Sequence, residues 1–141
     1  MISANITYKD LEREHHEGST AYNQHVQTCE QARHHLVEVL NEKFVRHPNT
    51  DMKCTTTGHF NVANEYATHS FTLLVPIGDT TYRLPCDIAV IKGAYWFVFG
   101  DPRRAPIDND DAILQVVGLA VREAIQHRFR LQILQADKFA P

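Results

Sequence analysis

Between Ala67 and Phe99 apolar side chains recur at every second position, and the run is cut only by Gly78–Asp79 and Lys92–Gly93. Period-two alternation broken by glycine-bearing pairs is the signature of strands joined by tight turns. Phe71, Leu73, Val75 and Ile77 share one face of a strand, and Tyr82, Leu84, Cys86, Ile88 and Val90 share one face of the next. Those faces are the expected core. The segment Ala94 to Phe99 is apolar on both sides, which suits an interior strand or one covered twice. With a first strand from Lys53 to Ala63, turned at Asn64–Glu65, the pattern predicts a four-stranded antiparallel meander.

Helical spacing flanks this sheet. From Ala21 to Val45, Tyr22, Val26, Cys29, Leu36, Val37, Leu40 and Phe44 recur at three- and four-residue steps. Ser19 or Thr20 is the expected cap, Gly18 the expected break from a shorter helix over Lys9 to Glu17, and His47–Pro48 the stop. A second helix is expected to open at Asp108–Asp111 and run to His127, with Ile113, Val117, Ala120 and Val121 inward. Its apolar arc is wide enough to require sandwiching inside the fold or sharing with a second subunit. Leu131 to Leu134 could add a short fifth strand. The expectation is one α+β domain over residues 1–141, a long amino-terminal helix and a carboxy-terminal helix packed on the meander.

Composition bounds the function. The chain of 141 residues is 43% hydrophobic and 22% charged with a net charge of -3, an ordinary globular balance. That charge gives no general attraction to phosphate backbones, so nucleic acid is not an expected partner. No stretch is long and apolar enough for a signal peptide or a membrane span, and the expected location is the cytoplasm. Cys29, Cys54 and Cys86 form no close pair and are expected to be reduced.

The stretch Leu84 to Arg103, LPCDIAVIKGAYWFVFGDPR, places Asp87 on one strand and Asp101 and Arg103 after the next. In the order helix, strands, helix and possible strand, the part from Tyr82 to Leu134 resembles the restriction-endonuclease-like nucleases. That resemblance implies a divalent-metal phosphodiesterase in which Asp87 and Asp101 hold the ion and Arg103 steadies the phosphate. The sequence departs from the pattern at Phe97 to Gly100, where the second acid and a lysine belong, and Pro102 opposes a continuing strand.

Other polar groups have spacing but little convergence. Glu30, His34 and Glu38 stand one turn apart on one helix surface, a geometry open to a metal and equally to a solvated stripe. His15 and His16 lack the second histidine of a zinc-protease helix. His69 and His127 are expected to be partly buried. Arg33 projects from an apolar helix face, where its head could pair with an acid such as Asp87 or reach out at an interface.

Tyr95, Trp96, Phe97, Val98 and Phe99 cannot all enter one core from a single strand. Some of them, with Arg33, are expected to form a subunit interface or a pocket wall. The leading expectation is a non-catalytic binding or adaptor module, homodimeric and without a cofactor, taking a protein or a small-molecule ligand. In size, acidity and element mix the chain is similar to small acidic dimeric chaperones. The metal-dependent nuclease and a plain small-ligand carrier are the alternatives.

Overall fold

The computed structural model describes residues 5–51, 55–58, 67–100 and 103–139. The elements in chain order are α1 (Tyr8–Lys43), β1 (Asn49–Thr50), β2 (Thr55–Gly58), β3 (Ala67–Ile77), β4 (Thr80–Ile91), β5 (Ala94–Val98), β6 (Arg104–Pro106) and α2 (Asp110–Phe139). The architecture is α+β, two long helices and an antiparallel sheet, as the patterning predicts.

Helix α1 is continuous, which corrects the expected division at Gly18. Thr7 caps it: its hydroxyl accepts from the Asp10 amide at 3.2 Å, and the Asp10 carboxylate accepts from the Thr7 amide at 3.0 Å. A glycine inside a helix costs about 1 kcal/mol relative to alanine, less than ending the helix and capping it again. Ser19 and Thr20 are therefore mid-helix. The helix closes at Phe44, where the amides of Phe44 and Val45 both donate to the Leu40 carbonyl. His47 then turns the chain at a φ of 60°, its amide held by the Asn41 side chain.

The sheet order is β1-β3-β4-β5-β6, with β2 also on β3. β1 pairs with Leu73–Leu74 and β2 with Ala67–Ser70, so the two share one side of β3 as an interrupted edge strand. The predicted first strand, Lys53 to Ala63, falls on β2 in its described part. Its remainder and the Asn64–Glu65 turn lie outside the described residues. Lys92 and Gly93 both have positive φ, 52° and 78°, the mirror-image turn that suits a twisted hairpin. β6 was not foreseen; it leaves β5 interior, between β4 and β6.

Both helices pack on one face of the sheet. Phe71, Leu73, Leu84, Cys86, Ile88 and Phe97 meet Cys29, Leu36 and Leu40 of α1 and Ile113, Val117 and Val121 of α2. Each such fully buried aliphatic or aromatic side chain contributes about 1.5–3 kcal/mol. The other face of β4 carries Thr81, Arg83, Pro85 and Asp87, all exposed.

Helix α2 opens under the cap of Asn109, whose side chain accepts from the Ala112 amide at 3.1 Å. It runs to Phe139, past the expected end at His127, and Leu131–Leu134 is helical, not a strand. Gly118 is its only glycine and no proline interrupts it, so nothing in the sequence stops the helix there. The two helices run parallel. His35 meets Asp110 at 2.7 Å, and further along both helices the Phe44 ring lies 3.8 Å from where a Cβ on Gly118 would stand. The stagger leaves the ends uncovered: no residue is buried from Tyr8 to Gln24 of α1, or from Arg122 to Ala136 of α2. Among the described residues no helix is long and apolar enough to cross a membrane.

Candidate functional site

Strand β5 divides its aromatic residues by alternation. Tyr95, Phe97 and Phe99 turn toward the helices, with Phe97 fully buried, while Trp96 and Val98 turn to the outer face and are half-buried. The Arg104 guanidinium stacks over Trp96 at 5.0 Å from the ring centroid. Each inward residue then meets a different neighbour.

Tyr95 enters a polar network under α1. Its hydroxyl shares a hydrogen bond with Nδ1 of the buried His25 at 3.0 Å, and the two rings stack at 5.7 Å. One turn along, Cys29 Sγ lies 3.7 Å from His25 Nε2. Arg33, 9% exposed, donates to the Thr50 hydroxyl at 2.8 Å and to Glu30 at 3.2 Å. The Arg33 head is thus held by Thr50 and Glu30, not by Asp87, which sits on the opposite face of the sheet. Burial lowers the basicity of His25, and burial together with the Arg33 charge lowers that of His69. Burial beside Glu30 pushes the Cys29 thiol up to about 12, and burial raises Cys86 well above its usual range. Burial therefore disfavours the charged forms of these imidazoles and thiols alike.

The outer-face groups do not converge. Asp87 is exposed and accepts from the Ser70 hydroxyl across the β3–β4 ladder at 2.6 Å. Asp101 lies outside the described residues. Arg103 is ion-paired with Glu123 of α2. Glu30 is bound to Arg33, while His34 and Glu38 are exposed on α1, and among the described residues no group of three His, Cys, Asp or Glu side chains is placed to hold a metal ion.

Phe99 faces a cavity of about 600 Å³. The cavity forms because the β4–β5 ladder stops at Val98, opposite Asp87, so among the described residues the earlier part of β4 is paired only with β3, and α2 crosses the gap on the β5 side. Leu84, Pro85, Phe99, Ala120 and Ala124 give it an apolar floor, and Arg83, Arg103, Glu123, His127 and Arg130 stand around it. The Arg83 head reaches Asp51 at 3.5 Å and Arg103 is paired with Glu123. Arg130 and His127 form no ion pair among the described residues. His127 is exposed here and not packed in the core as its helix position suggested. Among the described residues the lining includes no serine, threonine or cysteine.

Of the residues singled out from sequence for their chemistry, the fold brings Phe99, Arg103 and His127 to this cavity. In sequence His127 to Arg130 reads as a short basic cluster open to phosphate groups or to solvent, but its convergence with Arg83 is not visible there. The available signal was the helical spacing of Ala120, Glu123, Ala124, His127 and Arg130, which puts all five on one side of α2. A second cavity of about 440 Å³ lies where Thr28, Gln31 and His35 of α1 meet Asp108 and Asp110. No family model, no curated protein and no solved structure matches the chain.

Proposed function

We propose that this protein is a non-catalytic binding module, working as a homodimer in the cytoplasm, that takes a small ligand with an anionic group on an apolar body. The observation that carries this is the cavity between β4, Phe99 and α2, whose apolar floor is overlooked by His127 and Arg130, neither of which is ion-paired among the described residues. Such pockets draw affinity from buried apolar area and orientation from a few charged groups. Arg130 offers a planar, permanently charged donor set suited to a carboxylate, sulfonate or phosphate. Among the described residues the lining carries no serine, threonine or cysteine, which favours retention of a ligand over its conversion. Buried, reduced Cys29 and Cys86 fit a reducing compartment.

The test is fluorescence titration of the native protein with anilinonaphthalene sulfonate, an apolar dye bearing one anion, beside the uncharged dye Nile red. Saturable binding of the sulfonate is expected, weakened about tenfold or more by Arg130→Glu, in line with the 1.5–3 kcal/mol of a charged hydrogen bond. Phe99→Ala should weaken both dyes, and Arg130→Glu should spare Nile red. Sulfonate binding indifferent to both substitutions would remove the cavity as the site.

A further inference from the structure

We infer that a second copy of this chain covers both helical overhangs, the amino-terminal half of α1 lying antiparallel against the carboxy-terminal half of the other copy's α2. This rests on the homodimeric part of the function proposed above and assigns the surfaces that form it.

Each overhang is long and carries exposed large apolar side chains. The part of α1 before His25 extends about 25 Å and the part of α2 after Ile125 about 21 Å at 1.5 Å per residue. Isolated helices of this length are marginal in water, and most helical stability comes from packing one apolar face. In α1 the core stripe of Leu36 and Cys29 continues at a seven-residue step to Tyr22 and, beyond a polar interval, to Leu11 and Tyr8 on the same side, with Leu11 51% and Tyr8 75% exposed. In α2 the side that meets α1 at Gly118 continues through Ile125, Phe129 and Ile133 after α1 has ended, and Phe129 and Ile133 are 50% and 62% exposed. Each stripe is an extension of a surface that is packed elsewhere in the same helix.

Three features select a second copy as the cover. The overhangs are similar in length. They are opposite in charge: Asp10, Glu12, Glu14 and Glu17 outnumber Lys9 and Arg13 on α1, while Arg128, Arg130 and Lys138 outnumber Asp137 on α2. They also project from opposite ends of two parallel helices, so a single two-fold rotation places each overhang of one copy beside the complementary overhang of the other. Both contacts then form at once and the assembly closes at two chains. The antiparallel arrangement sets the positive amino-terminal end of α1 near the negative carboxy-terminal end of α2.

The test is light scattering on the eluted full chain, with a mass of twice 16.1 kDa expected. Two variants then reverse one overhang each: Glu12→Lys, Glu14→Lys and Glu17→Lys in the first, Arg128→Glu and Arg130→Glu in the second. These side chains are exposed, and circular dichroism at the sheet signal checks that each variant folds. Alone, each variant presents like charges at both contacts and should fall to half the dimer mass. Mixed, they present opposite charges at both contacts and should return to the full dimer mass. Dimers that persist in both single variants, monomers that stay apart on mixing, or assemblies larger than two chains would overturn the surface while leaving a dimer elsewhere open. A monomeric wild-type chain would overturn the homodimeric reading itself, and dye binding by the wild-type chain and by the first variant, which leaves the cavity residues untouched, reports separately on the cavity.

Discussion

His25 Nδ1 and the Tyr95 hydroxyl meet at 3.0 Å across the boundary between α1 and the sheet, tying residues far apart in the chain at the point where the first helix enters the core. Burial lowers the pKa of His25 from its usual 6.5. His69, lowered first by burial and then by Arg33, behaves alike.

Stability should therefore fall on acidification. Below the unfolded-state value of about 6.5 the unfolded chain takes protons on these imidazoles before the folded chain does. Their contribution is complete above that pH and is lost as pH drops toward the folded values. Each histidine adds a slope of at most about 1.4 kcal/mol per pH unit. Urea unfolding at pH 7.5, 6.5 and 5.5 measures it, and His25→Gln, which keeps a hydrogen-bonding side chain without the titration, should flatten the profile. An unchanged slope in that variant would count against the assignment.

Arg33→Met is expected to cost about 2 kcal/mol, since it keeps much of the stem but leaves the buried Thr50 hydroxyl without its donor. Glu30→Gln should cost under about 1 kcal/mol, because the Glu30 side chain is 46% exposed and its pairing with Arg33 is screened. Chemical denaturation of the two variants side by side gives the contrast.

Cys29 and Cys86 should resist thiol reagents until the protein unfolds. Both are buried, and the Cys29 thiol is held up to about 12, so the reactive thiolate is scarce at neutral pH. In a Cys54→Ser background, Ellman's reagent at pH 8 should give negligible colour from the native protein and two equivalents in denaturant. Rapid native labelling would mean that α1 lifts from the sheet.

Gly118→Ala should raise stability by about 1 kcal/mol, the usual gain for removing a glycine from a helix interior. The new methyl would meet the Phe44 ring at 3.8 Å, an ordinary van der Waals separation. A thermal melt reads the gain. Lower stability would show that α1 and α2 sit closer at this point than the structure has them.

Local pattern carried most of the fold. Alternation over Ala67–Phe99 and the turns at Gly78–Asp79 and Lys92–Gly93 correspond to β3, β4 and β5. The errors arose where a local signal was weak against packing. Gly18 reads as a break but lies inside a helix capped at Thr7, and the apolar run Leu131–Leu134 reads as a strand but continues α2. The cavity was legible only in pieces. Phe99 and Arg103 stand out in sequence, whereas Arg83 and Arg130 join them because β5 is shorter than β4 and α2 bridges the difference, which is a property of the assembled sheet. The partnership of His25 with Tyr95 left no periodic trace at all.

The turns between β3, β4 and β5 also bear on the order in which the molecule is made. Each of those ladders zips from a neighbouring bend, so little chain entropy opposes it, whereas α1 must wait for strands synthesised well after it. On the ribosome the first helix leaves the exit tunnel before any surface exists to receive Leu36 and Leu40. The hairpins can zip early, and docking of α1 belongs to a late stage of maturation.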